Sequence, residues 1–401
     1  MTTRDVRGDE VRIGVVSTSS WIDGRVNDQL DGYNERRSSV VRTLLRSHAV
    51  VVVNLTRDTR DEPVTWAGGA DVVPVPTSFP AGSRLDRAAR LVRRVMGPYG
   101  ASAWEREVCD RLAEFGCDAV LVMTCRKLDV ARIVSRRFPT VLFAEERVPE
   151  GTDGWGAASP LLDRVESAAL RRALAHVARI VVIAPREASW AERELARPTI
   201  VIPHSVDADY WRTASHDVPA AAPSPMSEHD VLVIGNFSAS RNAEGLRAVA
   251  DEIAKRPAAG RPRIVLASAS PRHEALADVP EEVLRWVGAL DDPRPYYRAA
   301  RATLVPSVAV TGAKTTVLQG WAVGCPVVST AEAAASVAGV HGEDLLVGRT
   351  PEEVVDRIYD VLRDAGLRAE LRRNGRASFD SRHSPKVVAH AVDALMAGCP
   401  W

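Results

Sequence analysis

Residues 311–330 read TGAKTTVLQGWAVGCPVVST: a turn, a helix from about Thr315 to Val323, a glycine stop at Gly324 and a strand. Lys314 sits where the turn becomes the helix, with the hydroxyls of Thr315 and Thr316 beside it. A helix start carries unpaired backbone N–H groups and the positive end of the helix dipole. A cation and two hydroxyls at such a place suit a phosphate. The chain has four lysines, Lys127, Lys255, Lys314 and Lys386, among 52 basic residues, and one of them falls here. The plainer reading is a solvated turn lysine. The stretch is not a P-loop, because Ala313 alone separates Gly312 from Lys314 and the G-x-x-x-x-G-K-[ST] spacing is missing.

A second glycine turn adds to the first. VLVIGNFSASRN, residues 231–242, is a strand ending in Gly235, a small polar loop with Asn236, then Arg241 and a helix. A strand–glycine–loop–helix unit with an arginine suits phosphate contact. It is not G-x-G-x-x-G and no acidic residue is placed for a ribose, which argues against a dinucleotide fold. Two anion-suited helix starts in one domain suggest a diphosphate, as in a nucleotide.

These loops need strands and helices to hold them. VRIGVVS, AVVVVNL, DAVLVM, TVLFA, RIVVIA and TIVIP read as buried strands in the first half, with helical patterns such as SSVVRTLLRS and SAALRRALAHVA between them. Near-continuous apolar strands alternating with helices argue for a doubly wound parallel sheet. ASHDVPAAAPSPMSEHD then breaks the rhythm with three prolines and reads as a linker. The alternation restarts with VLVIG, RIVLAS, ATLVPS and PVVST. TPEEVVDRIYDVLRDAG predicts a helix with Thr350 as N-cap, Glu353 completing a capping box, Val354, Ile358, Val361 and Leu362 on one face, and Gly366 as its stop. The fold class is α/β, with two doubly wound domains joined by the linker. The predicted division is 1–213, a linker over 214–230, 231–385, and a C-terminal helix over 386–401 able to cross back to the first domain.

Composition bounds the rest. The chain has 401 residues, 46% hydrophobic and 26% charged, with a formal net charge of zero. Such a balance predicts no general pull toward nucleic acid or an acidic membrane. Five scattered cysteines, Cys109, Cys117, Cys125, Cys325 and Cys399, form no C-x-x-C pair, so neither a disulfide framework nor a zinc site is expected. The start of the chain is polar, and no apolar run reaches the roughly 18–20 residues of a spanning helix. The expectation is a soluble, cytoplasmic protein without a transmembrane segment. Its alanine- and arginine-rich composition fits a high-GC bacterial source.

IVIPHSVDADYW, VLVIGNFSASRN, WVGALDDPRPYYRAARATLVPS, GAKTTVLQGWAVGCPVVST and HGEDLLVG occur in that order. Together they resemble the family-four retaining glycosyltransferases of GT-B architecture, over roughly residues 170–395. The resemblance implies two Rossmann-like domains facing a central cleft. The C-terminal one would bind a nucleotide-sugar donor and the N-terminal one an acceptor. It implies retention of anomeric configuration, no metal and no cofactor. Gly235, Asn236, Arg241, Lys314, Thr315 and Thr316 would hold the donor diphosphate. Val287 and Gly288 would face the base. Asn236 stands where the family often has an arginine, so one positive charge is lost, and Lys314 can supply it from the other loop. Thr311 and Gln319 stand where the family often carries two glutamates, so Thr311, Gly312, Ala313 and Gln319 would meet the donor sugar and ribose. The usual glycine pair after the first strand is replaced by small polar residues, Ser17, Thr18 and Ser19, on the acceptor side. After the fourth family strand, FAEER presents Glu145 and Glu146, placed to act on an acceptor hydroxyl as base or positioner. Their plainer reading is a surface turn paired with Arg147. His204, Tyr296, Tyr297 and Trp321 read as structural.

The predicted activity is therefore transfer of a sugar from a nucleotide diphosphate to an acceptor hydroxyl. The acceptor would be a glycan precursor, a lipid carrier or a secondary metabolite. The altered glutamate positions keep two alternatives in view. One is a non-catalytic GT-B protein that binds a nucleotide or a partner transferase. The other is a sugar-nucleotide epimerase or phosphorylase on the same fold.

Overall fold

The computed structural model describes residues 11–17, 32–56, 64–65, 69–76, 103–123, 128–144, 171–172, 174–195, 199–213, 226–227, 229–237, 240–308 and 313–398. The chain divides into two units, Met1–Ile202 with Ala389–Trp401, and Pro203–Val388. Among the described residues no helix is long and apolar enough to cross a membrane.

The first unit holds β1 (Arg12–Ser17), β2 (Ala49–Thr56), β3 (Val64–Thr65), β4 (Asp71–Pro76), β5 (Ala119–Met123), β6 (Thr140–Ala144), β7 (Arg179–Val182) and β8 (Thr199–Val201). They lie in the order β3-β4-β2-β1-β5-β6-β7-β8, all parallel except the β3–β4 pair. Every residue of β5 and β6 is buried, as their apolar runs require of strands covered on both faces. Gly14 is demanded in β1, because a Cβ there would lie 2.3 Å from Leu112 Cδ2 on the Ala103–Glu114 helix. β4 was not expected, because its sequence DVVPVP holds two prolines. Pro74 and Pro76 pair in register with β2 and lie beyond the two residues that β3 covers.

The second unit holds β9 (Asp230–Ile234), β10 (Arg263–Ala267), β11 (Leu284–Gly288), β12 (Thr303–Val305), β13 (Val327–Thr330) and β14 (Leu346–Gly348). The order is β11-β10-β9-β12-β13-β14, all parallel. One face packs against the Ser240–Ala254 and Pro351–Arg363 helices through Leu246, Val249, Ile253, Val354, Ile358 and Val361. The other packs against the Thr315–Val323 helix through Val317, Leu318, Trp321 and Ala322.

The capping signals act as read, with one correction. Thr350 Oγ1 accepts from Glu353 N at 3.2 Å, and Glu353 Oε2 accepts in return from Arg349 N at 2.9 Å. Gly324 takes the left-handed conformation, φ 82°, that ends its helix. Gly366 does not stop the Pro351–Arg363 helix. Asp364 does, in an extended conformation, and its side chain caps the next helix, Ala365–Arg382, by accepting from Leu367 N at 2.9 Å. Gly366 lies inside that second helix. The last helix runs over Pro385–Ala397.

At the amino end of β9, Asp230 is buried and grips Arg263 bidentately, at 2.8 and 3.1 Å, while Ser227 N donates to it at 2.8 Å. Burial alone would raise its pKa, but the Arg263 bonds and the Ser227 N–H outweigh it and hold the carboxyl below its ordinary value. The ionised form is thus favoured by folding. Its contribution is present above the unfolded carboxylate pKa of about 4 and is lost as pH falls through the lowered folded value. Asp230→Ala should lower unfolding free energy by about 2 kcal/mol at pH 7 in urea titration. The difference from wild type should shrink in the acid limb.

Candidate functional site

In a parallel sheet all strands deliver their following loops to one edge. Counted within the second unit the strand order is 3-2-1-4-5-6. The chain starts in the middle at β9, builds outward to β11, and returns to β12 on the other side of β9. That reversal between β9 and β12 is the topological switch point, where doubly wound sheets open a crevice beyond their carboxyl ends. Both phosphate-suited loops leave the sheet there, one from each of the two strands. They were far apart in sequence and become neighbours through the Thr303–Leu232 pairing, reinforced by Thr303 Oγ1 donating to Leu232 O at 3.0 Å. Gly245 lets the Ser240–Ala254 helix lie against the exit of β12, since a Cβ there would sit 2.3 Å from Pro306 O.

Lys314 is the N-cap of the Thr315–Val323 helix, extended at φ −82° and ψ 97°, and its side chain makes no cap bond. Its backbone N donates to Ser336 Oγ at 3.1 Å. Among the described residues its ammonium has no hydrogen-bond or ion-pair partner. Burial is what lowers its pKa below the ordinary lysine value, and no carboxylate offsets it. Thr315 and Thr316 are half-buried, and their hydroxyls bond no described residue. The first two helical N–H groups have no intrahelical acceptor by geometry. Helix start, hydroxyls and a partly desolvated cation thus converge without an anion among the described residues. That arrangement can bind a phosphate group with charge-assisted bonds.

The other expected site residues are distributed as follows. Gly235 ends β9, its N–H donating to Ala267 O at 3.2 Å. Asn236 is exposed; its Oδ1 accepts from Ser270 Oγ at 2.7 Å and its carbonyl from Asn242 Nδ2 at 2.9 Å. Arg241 falls in the first turn of the Ser240–Ala254 helix, and its side chain lies outside the described residues. Ala313 packs on the core beside Lys314. Val287 is partly buried and Gly288 takes φ 77°, with its carbonyl accepting from Ser268 N at 2.9 Å. Both lie at the carboxyl end of edge strand β11, two places from β9. Ser17 is buried at the end of β1. Thr18, Ser19, Glu145, Glu146, Thr311 and Gly312 lie outside the described residues.

Gln319 departs from the ribose contact the resemblance implied. It is 2% exposed, and its Oε1 accepts from Tyr297 Oη at 3.2 Å. The amide is turned into the core, where it satisfies a buried phenol. Tyr297 and Trp321 are core residues; Trp321 Nε1 donates to Asp344 O at 2.8 Å. Burial pushes the thiols of Cys109 up to about 11 and of Cys117 and Cys325 up to about 12, so none of these three is a thiolate nucleophile near neutrality. Among the described residues no three His, Cys, Asp or Glu side chains gather as metal ligands do.

Ser336, which fixes the Lys314 backbone, was not singled out from sequence. It lies 22 residues further on in an alanine-rich stretch with no motif.

Residues 228–364 match the family described as Glycosyl transferases group 1. This segment is similar to the group 1 glycosyltransferases. It contains β9 to β14 and every described residue that the resemblance implied for the donor site. Among curated protein sequences none matches the chain. Solved structures match it over nearly its full length. Sucrose-phosphate synthase from Thermosynechococcus elongatus is 15% identical, with a TM-score of 0.69 over 97% of this chain and 98% of that one. HepE of Anabaena, in complex with UDP and glucose, is 13% identical, with a TM-score of 0.69 over 97% and 100%. Trehalose 6-phosphate synthase from Burkholderia multivorans is 13% identical, with a TM-score of 0.69 over 96% and 99%. At these identities the likeness establishes the fold, and the fold is GT-B.

The uncompensated lysine sets a pH dependence. It can attract a diphosphate only while protonated, so, if the expected site is real, affinity should fall as pH rises through its lowered pKa, before the ordinary lysine value near 10.4 is reached. Lys314→Ala should weaken nucleoside diphosphate binding by roughly 10- to 100-fold and flatten that alkaline limb, read by calorimetric titration across pH.

Proposed function

We propose that this protein is a family-four, retaining glycosyltransferase that moves a hexosyl unit from a nucleoside diphosphate to an acceptor hydroxyl, without a metal. The observation that carries this reading is the Lys314 helix start: a partly desolvated cation with no counter-charge among the described residues, at the switch point of the segment that matches the group 1 glycosyltransferases. The diphosphate is the leaving group. As the bond from the anomeric carbon to the β-phosphate oxygen breaks, negative charge grows on that oxygen. A fixed ammonium and helix N–H groups stabilise it more in the transition state than in the ground state. The acceptor oxygen forms the new bond to the same carbon, and its proton passes to a base.

Gly235, Asn236 and Arg241 are assigned to the diphosphate from the β9 side, with Thr315 and Thr316 from the β12 side. Thr311, Gly312 and Ala313 are assigned to the donor sugar, and Val287 and Gly288 to the base. Ser17, Thr18 and Ser19 are assigned to the acceptor side. Glu145 and Glu146, which follow β6, are assigned to the acceptor hydroxyl as base or positioner. A uridine donor is favoured because HepE was solved with UDP and with UDP-glucose. The donor needs no further cofactor, and the reading places the protein in the cytoplasm.

A second reading, a GT-B protein that binds a nucleotide without transfer, is favoured by Gln319. Its burial and its bond to Tyr297 remove a polar group that the family usually turns to the donor.

Thermal shift against UDP, GDP, TDP and ADP, each free and sugar-linked, tests the donor. The expected result is a rise with UDP and UDP-sugar that is lost in Lys314→Ala. Incubation with the stabilising sugar nucleotide and an acceptor panel should then release free diphosphate. Stabilisation without release across the panel would favour the second reading, and no shift with any nucleotide would refute both.

A further inference from the structure

The Lys314 helix start lacks the usual device for fixing a helix end. Its N-cap side chain is a lysine, which cannot accept from the N–H groups that follow. The polar tie that the structure does supply comes from another element, the hydroxyl of Ser336. Ser336 is 2% exposed. Its hydroxyl donates to Ala333 O at 2.6 Å and accepts from Lys314 N at 3.1 Å. The first bond uses the only proton and so directs a lone pair at Lys314.

The platform under Ser336 is itself held. Ser336 N donates to Glu332 O and Ala333 O, and Gly339 N donates to Ala334 O at 2.9 Å. His383 Nε2 lies 3.0 Å from Val337 O, and Arg382 Nη1 donates to Ala338 O at 2.6 Å, so the end of the Ala365–Arg382 helix braces the turn. At its other end Thr330 Oγ1 donates to Ser307 O at 2.5 Å, tying the end of β13 to the exit of β12.

We propose that Ser336 is the positioning residue of the diphosphate site: it sets the backbone of Lys314, and through it the direction of the ammonium and of the helix N–H groups, without touching the donor. This rests on the diphosphate reading given above. A site whose ammonium must meet a phosphate within a few tenths of an ångström needs such a support.

The test is a double-mutant cycle on the full chain, with UDP as the probe and calorimetry at concentrations that saturate each variant. Ser336→Ala should lose roughly three- to tenfold in UDP affinity, the usual range for one hydrogen bond, while keeping a cooperative melt. In the Lys314→Ala background the same change should cost clearly less, because the side chain it positions is gone. Amide exchange at Lys314 N should quicken in Ser336→Ala. Unchanged affinity in Ser336→Ala, an equal loss in both backgrounds, or loss of the cooperative melt would each overturn the proposal. If wild type binds none of UDP, GDP, TDP and ADP, the diphosphate reading has failed. The positioning claim is then decided by exchange alone, and an unchanged Lys314 amide sinks it.

Discussion

An ammonium group held partly out of water, with no carboxylate against it among the described residues, is the constraint on which the rest depends. Desolvating a cation without a partner is costly, and proteins avoid it unless something else supplies the opposite charge. Lys314 is such a cation, and the N–H groups of the helix it caps add to the same positive field. Among the described residues nothing compensates this charge. A phosphate in the same place would offset it and would favour the charged form of the lysine.

The sheet explains why the charge stands there. A parallel sheet with β9 in the middle sends the chain out one way and back the other, and the reversal opens between β9 and β12. Local packing then narrows the place. The Gly245 contact draws one helix against Pro306, and the Thr330 and Ser336 hydroxyls fasten the exit of β12 and the Lys314 backbone to the β13 turn. Asp230 and Arg263 bond at the opposite end of β9, away from the proposed phosphate site.

The sequence shows some of this plainly and some of it not at all. Lys314 at a helix start is legible because the turn, the apolar face and the Gly324 cap are all local signals. The buried strands are legible because parallel strands covered on both faces leave long apolar runs. β4 is hidden by its prolines, which only an uncovered edge can tolerate. Gly366 misleads because a glycine is a common stop, whereas Asp364 here both ends one helix and caps the next. Gln319 misleads because its partner, Tyr297, is 22 residues away and brought in by tertiary packing. Ser336 has no local signal, since its function is a bond to a backbone group far back in the chain. What is local can be read; what depends on which side of a sheet two elements meet must be seen.

The most direct measurement is a crystal structure with UDP bound. The account predicts the distal phosphate within about 3 Å of Lys314 Nζ and of the first N–H groups of the Thr315–Val323 helix. A diphosphate bound elsewhere, with Lys314 still unpaired, would contradict it.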